Sequence, residues 1–110
     1  MESSERVLEF EVKRQRIVKK SDCDFSGIVA GTAGYLKAKF YFSPDDWGGC
    51  RKAASFWNDG QEYAKLLDDN DMCVIPGEAL TNRKFKVSVT GKKVGYQIVT
   101  NKATVRQEVG

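Results

Sequence analysis

Apolar and polar residues alternate along most of this chain with the two-residue period of half-buried β-strands. The clearest case is 35–42, where apolar side chains occupy the even positions and two lysines occupy odd ones. The stretches 7–12 and 85–90 alternate in the same way. Each of these segments therefore predicts a strand with one buried face.

Turn residues separate these patterns at intervals of about 8–12 residues, which is typical of β-sandwiches and barrels. The Asp59-Gly60 pair predicts a tight hairpin between 51–57 and 62–67. The pattern predicts a loop at 43–49, a single helical turn at 76–80 and a further turn at 91–93. No segment predicts a long helix, so the fold class is all-β, with about eight or nine short strands.

The phase of each predicted strand identifies the residues that face the core. They are Leu36, Phe40, Phe42, Phe56, Ile75, Phe85, Val87 and Val89. With 110 residues, the chain is expected to form one domain over 1–110, with frayed ends at 1–5 and 107–110.

The composition of the chain limits the classes of protein to which it can belong. The chain is 41% hydrophobic and 30% charged, as in ordinary globular domains, and no apolar run is long enough for a membrane span. Its polar first residues do not resemble a signal peptide, so we expect synthesis in a cytoplasm. The three cysteines, Cys23, Cys50 and Cys73, are an odd number and are therefore expected to be buried, reduced thiols.

The residues suited to catalysis are few. The chain has no histidine, which removes the most common general base and zinc ligand. Residues 68–71 (Asp-Asp-Asn-Asp) resemble half of a calcium loop, but they lack its spacing and its distal glutamate. We interpret them as turn-capping residues and expect no enzymatic activity, no cofactor and no metal site.

A basic run at 13–20 carries five of the 18 lysines and arginines. Such a run contacts phosphates or a partner protein, or it protects an edge strand from aggregation. Its candidate interface residues are Arg14, Arg16, Lys19 and Lys20. Because apolar residues interrupt the run and the net charge is only +3, nucleic acid is not the expected partner.

Trp47 stands among proline, aspartate and glycine residues in the predicted loop. Two interpretations remain open for its side chain. It closes one end of the core, or it is an exposed anchor for a partner or a sugar. We keep Trp47 as the fifth candidate interface residue.

Five segments, in this order, resemble immunoglobulin-like sandwich domains of phage and prophage tail or baseplate proteins, including the N-terminal part of upper-baseplate proteins. They are YLKAKFYFSPDDW (35–47), AASF (53–56), CVIPGEAL (73–80), FKVSVTG (85–91) and IVTN (98–101). The resemblance covers roughly two-thirds of the chain and implies an antiparallel immunoglobulin-like sandwich of about seven to nine strands.

The resemblance also implies a function. It points to a structural or assembly domain of a virion, made in the bacterial host, that docks onto other virion proteins, with self-association as a further option. It supplies no catalytic or cofactor-binding residues. The alternative is a carbohydrate- or host-surface-binding module of the same fold. A basic stripe that ran continuously over the surface would favour nucleic acid instead.

Overall fold

The computed structural model describes residues 5–109, and within this range the chain forms nine strands and two short helical turns. The all-β fold class is confirmed. The strands are β1 (Arg6–Lys13), β2 (Arg16–Lys19), β3 (Leu36–Phe42), β4 (Arg51–Asn58), β5 (Gln61–Leu66), β6 (Met72–Val74), β7 (Lys84–Lys93), β8 (Tyr96–Val99) and β9 (Ala103–Arg106). The helical turns are α1 (Pro44–Trp47) and a 3₁₀ turn (Gly77–Leu80).

Two sheets pack face to face. The first sheet has the strand order β2-β1-β3-β6. The second has the order β5-β4-β7, and β8 and β9 share the other side of β7. β8 pairs with its C-terminal part and β9 with its N-terminal part.

The pairing of β1 with β3 is parallel, which corrects the expectation of a purely antiparallel fold. β2 pairs with one side of β1 and β3 with the other side. Residues 20–35 connect β2 to β3. Arg6 holds this connection, since its guanidinium donates to the carbonyls of Asp24 at 2.7 Å and Ser26 at 2.8 Å. This connection carries the chain from the β2 side of β1 to its other side, where β3 runs antiparallel to β2 and therefore parallel to β1.

The core lies between the two sheets and is rich in aromatic rings. Phe10 and Phe40 stack with 5.4 Å between ring centroids, and Phe56 and Phe85 meet from the second sheet at 6.4 Å. Of the eight residues predicted to be buried, seven are. Phe42 is only partly buried, because it lies at the end of β3.

Three turns differ from their predictions. Arg14 and Gln15 form the turn between β1 and β2, which the sequence did not reveal. Gly91 lies inside β7 rather than in a turn, and the chain reverses at 94–95. The predicted loop at 43–49 contains the helical turn α1, with Pro44 in its first turn.

The end of the described chain is more ordered than the expected fraying of 107–110. Gln107 is buried, and its backbone N–H and side-chain amide donate to the carbonyls of Arg83 and Asn82 at 2.6 and 2.7 Å. Glu108 forms a β-bridge with Val29. At the other end, the side chain of Glu5 pairs with Lys37 at 3.0 Å. Residues 1–4 and 110 lie outside the described part of the chain.

Candidate functional site

The basic run at 13–20 forms the hairpin between β1 and β2, and its candidate residues do not make one patch. Arg14 and Arg16 are exposed near the hairpin tip. Lys19 lies on the strand face of the buried Ile17, with its ammonium 5.6 Å from the ring centroid of Phe25. Lys20 pairs with Asp22 at 2.7 Å, and this hydrogen bond raises the pKa of the lysine. Of these four residues, only Arg14 and Arg16 line the same groove.

That groove is open, has a volume of about 610 Å³ and lies on the outer side of the first sheet. Both arginines line it together with Glu11, Val12, Lys13, Val18, Tyr41, Phe42 and Ser43. Its lining is largely apolar. A largely apolar groove of this volume is a candidate contact surface for a ligand or for another protein.

Trp47 is not exposed at all, so its inclusion among the interface residues is wrong and the core interpretation is correct. Its indole N–H donates to the carbonyl of Arg14 at 2.8 Å, and its ring lies 5.0 Å from that of Phe42. Pro44 begins the single helical turn that ends at Trp47. The tryptophan therefore closes one end of the sandwich beneath the β1–β2 hairpin.

Charges around Glu9, on the outer side of the first sheet, are largely paired. The hydroxyl of Tyr41 donates to a carboxylate oxygen of Glu9 at 2.6 Å, and this hydrogen bond raises the pKa of the tyrosine. Lys20 and Lys39 both lie over the Tyr41 ring, at 5.4 and 5.2 Å from its centroid. Glu9 therefore lies among two lysines and a tyrosine, and little unbalanced charge remains around it.

The acidic segment 68–71 acts as a turn. Asp68 accepts backbone N–H donors from Asn70 at 2.8 Å and Met72 at 3.0 Å through one carboxylate oxygen. Asp71 adopts a φ of 58° and pairs with Lys52 at 3.5 Å. These bonds account for two of the carboxylates as structural groups. In residues 5–109, no group of three or more acidic or cysteine side chains is arranged to hold a metal ion.

The three cysteines are free thiols and each is partly buried, which corrects the expectation of full burial. Cys73 lies in β6 against the core. Burial raises the pKa of its thiol to about 12. It is therefore a poor nucleophile at neutral pH.

β5 is an open edge of the second sheet. Among the described strands it pairs only with β4, and all of its side chains except Tyr63 are exposed. The backbone N–H of Leu67 donates to the carbonyl of Lys52. Residues of β5 point alternately towards β4 and away from it, so this bond shows which residues bond β4. It follows that the N–H and C=O groups of Glu62, Ala64 and Leu66 point away from β4.

The outer side of the second sheet is strongly basic. Six side chains on or beside it are lysine or arginine, and we call this surface the basic face. They are Arg51, Lys84, Lys86, Lys92, Lys102 and Arg106. Within residues 5–109 none of the six forms an ion pair. The acidic residue on the same strand faces is Glu62, which accepts a hydrogen bond from Ser55.

The basic face was not predicted from the sequence because its residues come from separate strands. The signal within one strand was present, since Lys84, Lys86 and Lys92 occupy alternate positions of β7. Lys102 and Arg106 join them only through the pairing of β9 with β7.

Comparison with known proteins finds no match to a protein family, a curated protein or a solved structure. Among residues 5–109, no helix is both long enough and apolar enough to span a membrane.

Proposed function

We propose that this protein is a docking domain that binds an extended segment of another protein along the open edge of β5. The observation that carries the proposal is the row of outward-pointing backbone groups at Glu62, Ala64 and Leu66. An extended peptide adds to such an edge through main-chain hydrogen bonds, and its side chains then supply specificity.

The side chains of β5 leave room for an added strand. Ala64 is small and exposed at the middle of the edge, and Leu66 is 67% exposed. Its exposed side chain is available for apolar contact with a partner. The connection after β5 turns away through Asp68, so the edge is not covered by the chain that follows it.

We further propose that the domain is an immunoglobulin-like component of a phage or prophage virion and that its partner is a neighbouring virion protein. The support for this setting is the order of the five sequence segments in the resemblance. Two packed sheets agree with a sandwich of that kind, whereas the parallel β1–β3 pair departs from its antiparallel plan. The virion setting and the use of the β5 edge are separate proposals, and each has its own test.

The edge is tested with Ala64→Pro, because proline removes the outward N–H while leaving the β4 ladder intact. The matched control is Ala64→Val, which enlarges the same side chain and keeps the N–H. Both variants and the wild type are used as bait against virion proteins from dissociated, purified particles. We expect Ala64→Val to retain the partner and Ala64→Pro to lose it, with melting temperatures that agree within a few degrees.

Equal capture by the proline variant would exclude the β5 edge as the binding site. The virion setting is tested separately, by mass spectrometry of purified particles from phage-producing cells. Absence of the chain from those particles would overturn that setting. Self-association through β5 would appear as a dimer of wild type in sedimentation that Ala64→Pro converts to monomer.

A further inference from the structure

The basic face has more unbalanced positive charge than the outer side of the first sheet, although Lys13, Arg14 and Arg16 there also form no ion pair within residues 5–109. On the first sheet, Lys37 pairs with Glu5 and Lys20 pairs with Asp22. The hydroxyl of Tyr41 donates a hydrogen bond to the carboxylate of Glu9. On the basic face, the carboxylate of Glu62 is engaged by Ser55. Six basic side chains against the one carboxylate of Glu62 make the basic face the more positive of the two sheet surfaces, and such a surface attracts a polyanion.

Trp57 lies in the middle of this charge. It belongs to β4 and is opposite Lys86 on β7. Its indole N–H donates to the hydroxyl of Ser88 at 3.0 Å, which fixes the ring against the sheet. Ser88 itself is buried although its side chain is on the outer side of the sheet. The indole is therefore a partly exposed aromatic group held by the strand next to it.

A flexible side chain covers the indole. The ammonium of Lys102 lies 3.7 Å from the centroid of the Trp57 ring. Lys102 is exposed and belongs to the connection between β8 and β9. A planar ligand that displaced the lysine would gain the ring as a stacking surface and would keep the ammonium nearby as a counter-charge.

A shallow pocket of about 260 Å³ adjoins the ring. Its basic lining residues are Lys84, Lys86 and Lys102, and Asp59 and Gly60 of the β4–β5 turn complete one side. Lys84 and Lys86 are two residues apart on one strand, so their positions repeat at about 7 Å. Arg106 lies opposite Lys84 on β9.

We propose that the basic face binds single-stranded nucleic acid, with a base stacked on Trp57 and the adjacent phosphates bound by Lys84, Lys86 and Arg106. A fixed aromatic ring on a sheet surface flanked by basic side chains is the combination that single strands require. An acidic peptide could pair with the basic side chains but has no base to stack on the Trp57 ring. A duplex keeps its bases stacked inside and could not reach it.

The proposed nucleic-acid site uses side chains on the sheet face, whereas the proposed docking site uses backbone groups at the adjoining edge of β5, so different variants test the two sites. Nucleic acid was not the expected partner because apolar residues interrupt the basic run at 13–20 and because the net charge is only +3. The basic face lies on the other sheet and uses none of those residues.

The experiment measures binding of the full chain to a fluorescent 12-nucleotide oligo(dT) by anisotropy, from low to moderate salt. The test variant is Lys84→Glu/Lys86→Glu. The matched control is Lys13→Glu/Arg16→Glu, which makes the same change of charge on the first sheet. We expect the test pair to weaken binding by at least about tenfold and to reduce the salt slope by about 1.4, since two phosphate contacts are lost. The control pair should change binding by less than about threefold.

Stacking is tested by tryptophan emission. Oligo(dT) should quench the emission of the wild type, and Trp57→Leu should abolish the quenching because the buried Trp47 remains as the sole tryptophan. The same variant should bind about tenfold more weakly. If Trp57→Leu fails to fold, quenching of the wild type and the charge-pair comparison still decide the matter. Ala64→Pro should bind the oligonucleotide like the wild type.

Three outcomes would overturn the proposal. One is equal loss of binding in the test and control pairs, which would indicate attraction to net charge alone. Another is a duplex of the same length that binds as tightly as the single strand. The last is a poly-glutamate peptide that competes as well as unlabelled oligo(dT) at equal charge, which would assign the face to an acidic protein segment.

Discussion

Gly91 lies directly against the ring of Trp47. A Cβ atom built on Gly91 would lie 2.8 Å from both Cε3 and Cζ3 of the indole. Atoms in a protein interior do not approach so closely, so the absence of a side chain at residue 91 is what makes room for the tryptophan. The contact joins β7 of the second sheet to the end of α1, the helical turn that follows β3 of the first sheet.

Gly91→Ala is expected to lower the free energy of unfolding by about 1–3 kcal/mol, because the added methyl group overpacks the core against the indole. Urea unfolding measures the change. The control is the double variant Trp47→Phe/Gly91→Ala, in which a smaller ring gives the methyl group space. Its loss should be less than the sum of the two single variants. Additive losses would show that the two residues do not share the space.

Asn58 connects the β4–β5 hairpin to the 3₁₀ turn. Its buried side chain donates to the carbonyl of Glu78 at 2.8 Å and to the hydroxyl of Thr81 at 2.7 Å, and it accepts from Asn82 at 2.6 Å. Asn58→Ala should cost about 2 kcal/mol or more, because it leaves polar groups without partners. Asn70→Ala, in an exposed turn, should stay within about 0.5 kcal/mol. Similar losses in the two variants would show that the buried bonds add nothing.

Cys73 should resist alkylation in the folded protein. Burial raises its pKa from 9.0 to about 12, so the thiolate is scarce below that pH. In the variant Cys23→Ser/Cys50→Ser, reaction with iodoacetamide at pH 8 should be at least about a hundredfold slower than in urea. Since folding favours the protonated thiol, this group's contribution to stability is present below pH 9.0 and is lost as the pH rises towards about 12. Equal rates in the folded and unfolded states would contradict the burial of Cys73.

Arg14 adopts a φ of 54°, in the left-handed region, and its carbonyl accepts the indole N–H of Trp47. Glycine adopts this φ without steric strain, so Arg14→Gly should leave the stability within about 1 kcal/mol of the wild type or raise it. Arg14→Val should destabilise more, because a β-branched residue is disfavoured there. Thermal melting of the two variants compares them. A lower melting temperature for the glycine variant than for the valine variant would contradict the turn conformation.

Local pattern predicted the strands well where alternation and turn residues agreed. The β4–β5 hairpin is an example, since Asp59 and Gly60 adopt φ values of 52° and 81° in the predicted turn. Alternation also placed Phe40, Phe56 and Phe85 in the core. These features depend on residues close together in the sequence, so a single chain carries enough information to specify them.

The features that the sequence did not reveal depend on distant contacts. The turn at Arg14 and Gln15 contains no glycine, proline or asparagine to mark it. Gly91 resembled a turn residue because its packing partner, Trp47, is far away in the sequence. The candidate site was missed for the same reason, since Lys102 reaches Trp57 only when β9 pairs with β7.

The parallel β1–β3 pair has a consequence for how the chain folds. The β1–β2 hairpin closes over a two-residue turn, and hairpins form in about 1–10 μs. Phe10 meets Phe40 only after the whole return through 20–35 has closed, which is a slower, long-range step. Until then, β1 offers an unpaired edge and an uncovered row of Leu8, Phe10 and Val12. That row is the surface through which partly folded chains would aggregate, so refolding yield should fall as protein concentration rises.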